Sequence, residues 1–188
     1  MANDLETPIL DAALARLQHG GWAAMTVAAV AADAGVSRQQ VYRAIGDRQQ
    51  LGRRVLMREV QRFIQPVLAA HRAHPDDAVR GISSASATTL AAAADNLLIK
   101  ALIAGQASPL LPWVALESGP VLEPVLQAVT ASALATYGEH HSPAALTRAI
   151  EVSVRLTISH LLQPTSSQED AVAQIHDTIA ALLSLPGA

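Results

Sequence analysis

Cysteine is absent from the 188 residues, which excludes disulfides, thiolate metal sites and a cysteine nucleophile. No uninterrupted apolar run of membrane-spanning length occurs: the longest apolar stretch, near residues 85–104, is broken by Asp95, Asn96 and Lys100. The start, Met1-Ala2-Asn3-Asp4-Leu5-Glu6, is acidic and lacks the positive charge and apolar stretch of a secretion signal, so a cytoplasmic protein with no membrane partner is expected. A positive surplus is also missing. Thirteen basic against sixteen acidic residues give −3, and a pI near 6.1 argues against a non-specific coater of DNA. Strand-type alternation and hairpin dipeptides are wanting, which leaves an all-α chain. So are a G-x-S-x-G elbow, an H-E-x-x-H pair and a phosphate-cradling glycine loop. His71 and His74 stand three apart beside Pro75 with no third ligand, and the adjacent His140 and His141 would diverge on a helix. The chain is therefore expected to be no enzyme and to hold neither metal nor cofactor.

What the sequence does contain is concentrated between residues 26 and 43. Thr26 is placed to cap a helix on which Val27, Val30, Ala31 and Ala34 share a face, and Gly35 supplies the left-handed residue that ends it. Val36 follows as a plug for the angle between two helices. Ser37 and Gln40 then have the S-x-x-Q spacing of a capping box, which specifies the start of a second short helix. Beyond the cap, Arg38, Gln39, Tyr42 and Arg43 project from about two turns of helix whose apolar needs are met mainly by Val41. This is the layout of a helix-turn-helix, whose second helix enters the major groove of double-stranded DNA. Arginine pairs bidentately with guanine and glutamine with adenine, so Arg38, Gln39 and Gln40 are the candidate base readers, Gln40 being partly engaged by the cap. Tyr42 and Arg43 suit phosphates, as does Thr26. An ordinary αα-corner with a solvated basic face is the competing reading of the same residues.

The flanks extend the pattern. Ile9, Leu10, Ala13, Leu14 and Leu17 form an amphipathic helix ending at Gly20-Gly21, and Trp22 and Met25 lead into Thr26. Downstream, Tyr42 is followed six residues later by Arg48. Residues 9 to 51 together resemble the DNA-binding domain of the TetR-like (tetracycline-repressor-type) transcriptional regulators. The matching elements are the Ala-rich first helix, Gly-aromatic-x-x-x-Thr-Val, Ala-x-x-Ala-Gly-Val-Ser, and Tyr with a basic residue six further on. Two positions depart from that family: Ile45 replaces a usual Phe, and Arg48 a usual Lys. The arginine keeps the charge and is expected to hold a phosphate.

Charge is distributed accordingly. Residues 1–62 carry eight Arg and six Asp or Glu, for +2; residues 63–188 carry five basic and ten acidic residues, for −5. Within 34–62, Arg38, Arg43, Arg48, Arg53, Arg54, Arg58 and Arg62 face only Asp47 and Glu59. A basic patch on an acidic body suits a protein that meets DNA with one surface only.

About nine helices are expected. A head over residues 1–52 would hold three of them, joined by a long fourth helix to a larger helical region over 53–188 for ligand binding and dimerisation. Pro66 should kink or break the fourth helix. A short helix is expected around 111–117, and the last three helices start near Val121, at Ser142-Pro143 and at Ser167. The final two carry apolar residues on more than one face, so they need two partners. The second partner is either more of the same chain or another copy of it. The resemblance implies a four-helix bundle across a two-fold axis, with Leu146, Ile150, Leu161, Val172, Ile175, Ile179 and Leu182 at the interface, and a homodimer facing a palindromic operator. It also implies a small-molecule effector site among helices four to eight. Phe63, Trp113 and Tyr137, the only aromatics after residue 42, are its candidate walls, and Asn96, Lys100, Arg155 and His160 its candidate polar contacts. The expected function is a DNA-binding transcriptional regulator, a repressor released by a largely apolar effector. The alternative is an all-α binding module with a vestigial DNA-binding head.

Overall fold

The computed structural model describes residues 3–110, 112 and 122–185. Among them every regular element is helical: α1 Asn3–Ala24, α2 Val27–Asp33, α3 Arg38–Ala44, α4 Arg48–Ala73, α5 Ala78–Ala94, α6 Leu97–Ile103, a 3-10 turn Ser108–Leu110, α7 Leu122–Tyr137, α8 Pro143–Leu162 and α9 Gln168–Leu183. Seven of the nine starts carry a capping side chain: Thr26, Ser37, Asp47, Asp77, Asn96, Ser142 and Ser167 each accept a hydrogen bond from a backbone N–H of the turn they open. Each such cap contributes about 1 kcal/mol to its helix, which is why the starts at Thr26, Ser37, Ser142 and Ser167 could be read from sequence. None of the described helices is long and apolar enough to cross a membrane.

Two compact units result, and their division differs from a cut at residue 52. One comprises Met1–Val60 with Asn96–Glu117; the other comprises Gln61–Asp95 with Ser118–Ala188. In the first, Ile9, Ala13 and Leu17 of α1 are fully buried with Val30 of α2, Val41 of α3 and Leu51 and Val55 of α4. Leu98, Ala101 and Leu102 of α6 are buried in the same unit. Helix α6, expected in the larger region, thus belongs with the head. Sequence patterning locates a helix but not the neighbour that covers its apolar face.

The second unit is a bundle in which α5 packs on both α8 and α9, with α7 against α8. Leu146, Ile150, Ile175 and Ile179 are each 0% exposed within this single chain, at the centre of that core. They have no surface left for a second copy, which corrects their assignment to a dimer face. A helix that is apolar on two sides gives no sequence signal of which side its own chain covers. Leu161, Val172 and Leu182 are only partly buried, together with Val154, Leu156 and Leu183. Pro66 neither ends nor interrupts α4 as expected. It lies on an exposed side, where water can replace the hydrogen bond that proline removes. The short helix expected at 111–117 falls largely outside the described residues.

Tyr137, a candidate pocket wall, belongs to the same core. It is 1% exposed, its hydroxyl donates to the His71 carbonyl at 3.0 Å, and its ring meets the His71 imidazole edge-on at 5.8 Å. Burial, with Asp77 nearby, pushes the phenol up to about 12. Phe63 is half-buried and Trp113 lies outside the described residues. Asn96 is occupied as the α6 cap and Arg155 in an exposed ion pair with Glu151, so neither is placed as a pocket contact.

His71 is fully buried, with Nδ1 3.1 Å from Ser132 Oγ and Nε2 unpartnered. Burial first, and the Arg72 charge second, lower its pKa to about 4. The unfolded chain takes up this proton near the ordinary value of 6.5, so the fold loses stability as pH falls from there to about 4. The full loss is about 3 kcal/mol. In urea titrations, the stability gap between wild type and His71→Gln should narrow by about 2–3 kcal/mol between pH 7.5 and pH 4.5. A gap that does not change with pH would mean that the imidazole is not held neutral.

Candidate nucleic-acid interface

Helices α2 and α3 are joined by a tight, fully specified corner. Thr26 Oγ1 accepts from Ala29 N at 3.1 Å, and Val27, Val30 and Ala31 anchor α2 in the core. At its end, Val36 N donates to Ala31 O at 2.9 Å and Gly35 N to Ala32 O at 3.3 Å. This paired arrangement needs a left-handed residue, and Gly35 has φ +67°. The capping box at the start of α3 is complete: Gln40 N donates to Ser37 Oγ at 3.2 Å, and Ser37 N to Gln40 Oε1 at 2.8 Å. Gln40 Oε1 is therefore tethered to the start of the helix, while its side-chain N–H groups remain available as donors.

Val41 alone roots α3 in the core, leaving Arg38, Gln39, Gln40, Tyr42 and Arg43 exposed, Tyr42 by 57%. Arg38, Gln39 and Gln40 sit on the first turn of a rigidly started helix. In helix-turn-helix proteins the corresponding turn meets base edges in the major groove, where an arginine fork matches guanine O6 and N7 and a free glutamine amide matches adenine N6 and N7. Tyr42 and Arg43 lie further along α3, both exposed.

The arginine patch is smaller than the sequence suggests. Arg54 pairs with Glu6 at 2.7 Å and Arg58 with Asp11 at 2.9 Å, both between α4 and α1. Arg16 closes on Asp33 through two bonds of 2.5 and 2.7 Å, which ties α1 to α2 and holds the Asp33 carboxyl below its usual range. Arg48 departs furthest from expectation. Its guanidinium stands 4.8 Å over the Trp22 ring and its Nη2 donates to the Trp22 carbonyl, turned toward the protein's own chain. The exposed cations that remain near the corner include Arg38, Arg43 and Arg53. Charges that look unopposed along the sequence met partners from α1 in space, and acidic residues forty or more positions away carry no local signal.

Comparison with known proteins gives this corner its family. Residues 9–55 match the family described as "Bacterial regulatory proteins, tetR family", and residues 77–183 match "Bacterial Tetracyclin repressor, C-terminal domain". The HTH-type transcriptional regulator AlkX of Mycobacterium tuberculosis is 29% identical over 176 residues, 91% of this chain and 81% of its own. Among solved structures, the TetR family repressor AlkX from Dietzia sp. strain DQ12-45-1b, implicated in biodegradation of n-alkanes, has the same fold with a TM-score of 0.75 at 22% identity, covering 94% of each chain. The multidrug binding protein EbrR, complexed with imidazole, follows with a TM-score of 0.67 at 20% identity over 97% of each chain. With a DNA-binding corner at one end of the sequence and a matched C-terminal domain over more than half of it, the chain belongs to the TetR family of DNA-binding transcriptional regulators.

Proposed function

We propose that the protein is a homodimeric repressor that binds a palindromic operator and leaves it when a small, largely apolar effector binds the helical unit of α5 and α7–α9. The observation that carries this reading is the exposed Arg38–Gln39 pair on a helix whose start is pinned by a two-way capping box. Arg38 and Gln39 read bases, aided by the amide of Gln40; Thr26, Tyr42 and Arg43 hold phosphates. One reading helix per subunit covers only half a site. A two-fold pair spaces two of them by about one turn of DNA, ~34 Å, and the partly exposed Leu161, Val172 and Leu182 supply apolar surface for that pairing. An effector acts by binding better to the dimer whose heads do not fit the operator. An apolar effector is supported by the predominantly apolar interior of this unit and by the implication of the Dietzia repressor in biodegradation of n-alkanes.

The test is a gel shift on DNA upstream of the protein's own coding sequence at two salt concentrations, with sedimentation of the complex. We expect one retarded species containing two chains. Its affinity should fall steeply with salt yet resist competition by unrelated DNA. Binding that unrelated DNA displaces equally well would favour a binding module with a vestigial head.

A further inference from the structure

The Trp22 side chain is the meeting point of three segments of the head. Its backbone N–H donates to the Gln106 carbonyl at 2.8 Å, which joins the end of α1 to the turn after α6. The approach is close enough to demand glycine: Gly21 has φ +64°, and a methyl group there would come within 2.7 Å of the same carbonyl. The ring lies against Gly52 of α4, where a methyl group would stand 2.5 Å from Trp22 Cζ3 and 2.9 Å from Leu110 Cδ2. Leu110 and Ala107 are fully buried. The other end of α6 is fastened as well, through Asn96 Nδ2 donating to Glu59 Oε2 of α4 at 3.2 Å. On this fixed ring sits the guanidinium of Arg48, the first residue of α4, which also donates to the Trp22 carbonyl while its Nε is buried without a partner.

We propose that Arg48 is a positioning residue for DNA reading: seated on Trp22, and tied through it to the Gln106 turn, it sets the pose of α3 without touching a phosphate. The proposal rests on α3 being the reading helix. Arg48 follows α3 after only three residues, Ile45-Gly46-Asp47. Where its guanidinium is held, the start of α4 is held, and α3 leaves the same corner. With one face on the ring, Nη2 on a carbonyl and Nε buried, the guanidinium would have to leave Trp22 to offer a phosphate its full fork.

Two measurements on an operator duplex separate positioning from phosphate contact. The first is the slope of log affinity against log salt for wild type and Arg48→Met. A lost phosphate contact removes about 0.9 from the slope per subunit, about 1.8 for a dimer. We expect Arg48→Met to bind about tenfold more weakly with nearly the wild-type slope. The second is a cycle of Arg48→Met, Trp22→Leu and the double variant. Residues acting as one unit are non-additive, so the double variant should bind no more weakly than the weaker single one, a coupling of about tenfold. A slope reduced by the full phosphate increment, or losses that multiply, overturns the proposal. Thermal melts establish that each variant is folded at the assay temperature. If Arg48→Met is not, Arg48→Gln replaces it and is read by the same slope and the same cycle with Trp22→Leu. A wild type with no operator binding refutes the reading of α3 instead, and the proposal with it.

Discussion

Replacing Arg38 and Gln39 together by alanine should abolish the preference for the operator while leaving salt-dependent binding to unrelated DNA. Each lost base contact costs about 1–3 kcal/mol, and a dimer loses every contact twice. Both side chains are exposed on the first turn of α3, and Val41, which roots the helix, is untouched, so the fold should be unaffected. Footprinting with wild type and variant on one duplex is the measurement. An unchanged footprint would show that α3 is not the reading helix.

The second large effect belongs to the other unit. Tyr137→Ala should destabilise it by about 3–5 kcal/mol, because a nearly enclosed ring leaves a cavity that the helices cannot fully close. The melting temperature should fall by on the order of 20 °C. Tyr137→Phe separates ring from hydroxyl. It should cost about 1 kcal/mol, since the His71 carbonyl that loses the phenol still accepts from His74 N at 3.1 Å. An alanine variant melting within a few degrees of wild type would place the ring outside the core.

The legible parts of this molecule are those set by neighbours in sequence. The corner at 26–45 rests on contacts no more than five residues apart: Thr26 with Ala29, Ser37 with Gln40, Val36 with Ala31. Each has a residue type that announces it, and all were readable. The helix starts at Ser142 and Ser167 were readable for the same reason. What could not be read depends on partners distant along the chain. Arg54 and Arg58 look free until Glu6 and Asp11 arrive from α1, and nothing beside Arg48 in sequence announces the Trp22 ring beneath it. Apolar residues run most of the way round α8, so Leu146 and Ile150 could be assigned to core or interface alike. One overlooked signal did exist. Gly52 stands inside an otherwise helical run, where glycine costs about 1 kcal/mol relative to alanine. Such a glycine is explained by a close approach, here of Trp22 and Leu110.

The capping box that starts α3 also limits what the helix can spell. With Oε1 tethered to Ser37 N, Gln40 would meet DNA chiefly through its amide N–H groups, and a two-way match to adenine would compete with the cap. A lone donor is satisfied by guanine, adenine and thymine alike on their major-groove edges, and refuses little but cytosine. The base opposite Gln40 should therefore appear in an aligned set of operators as a degenerate symbol, flanked by the sharper letters written by Arg38 and Gln39.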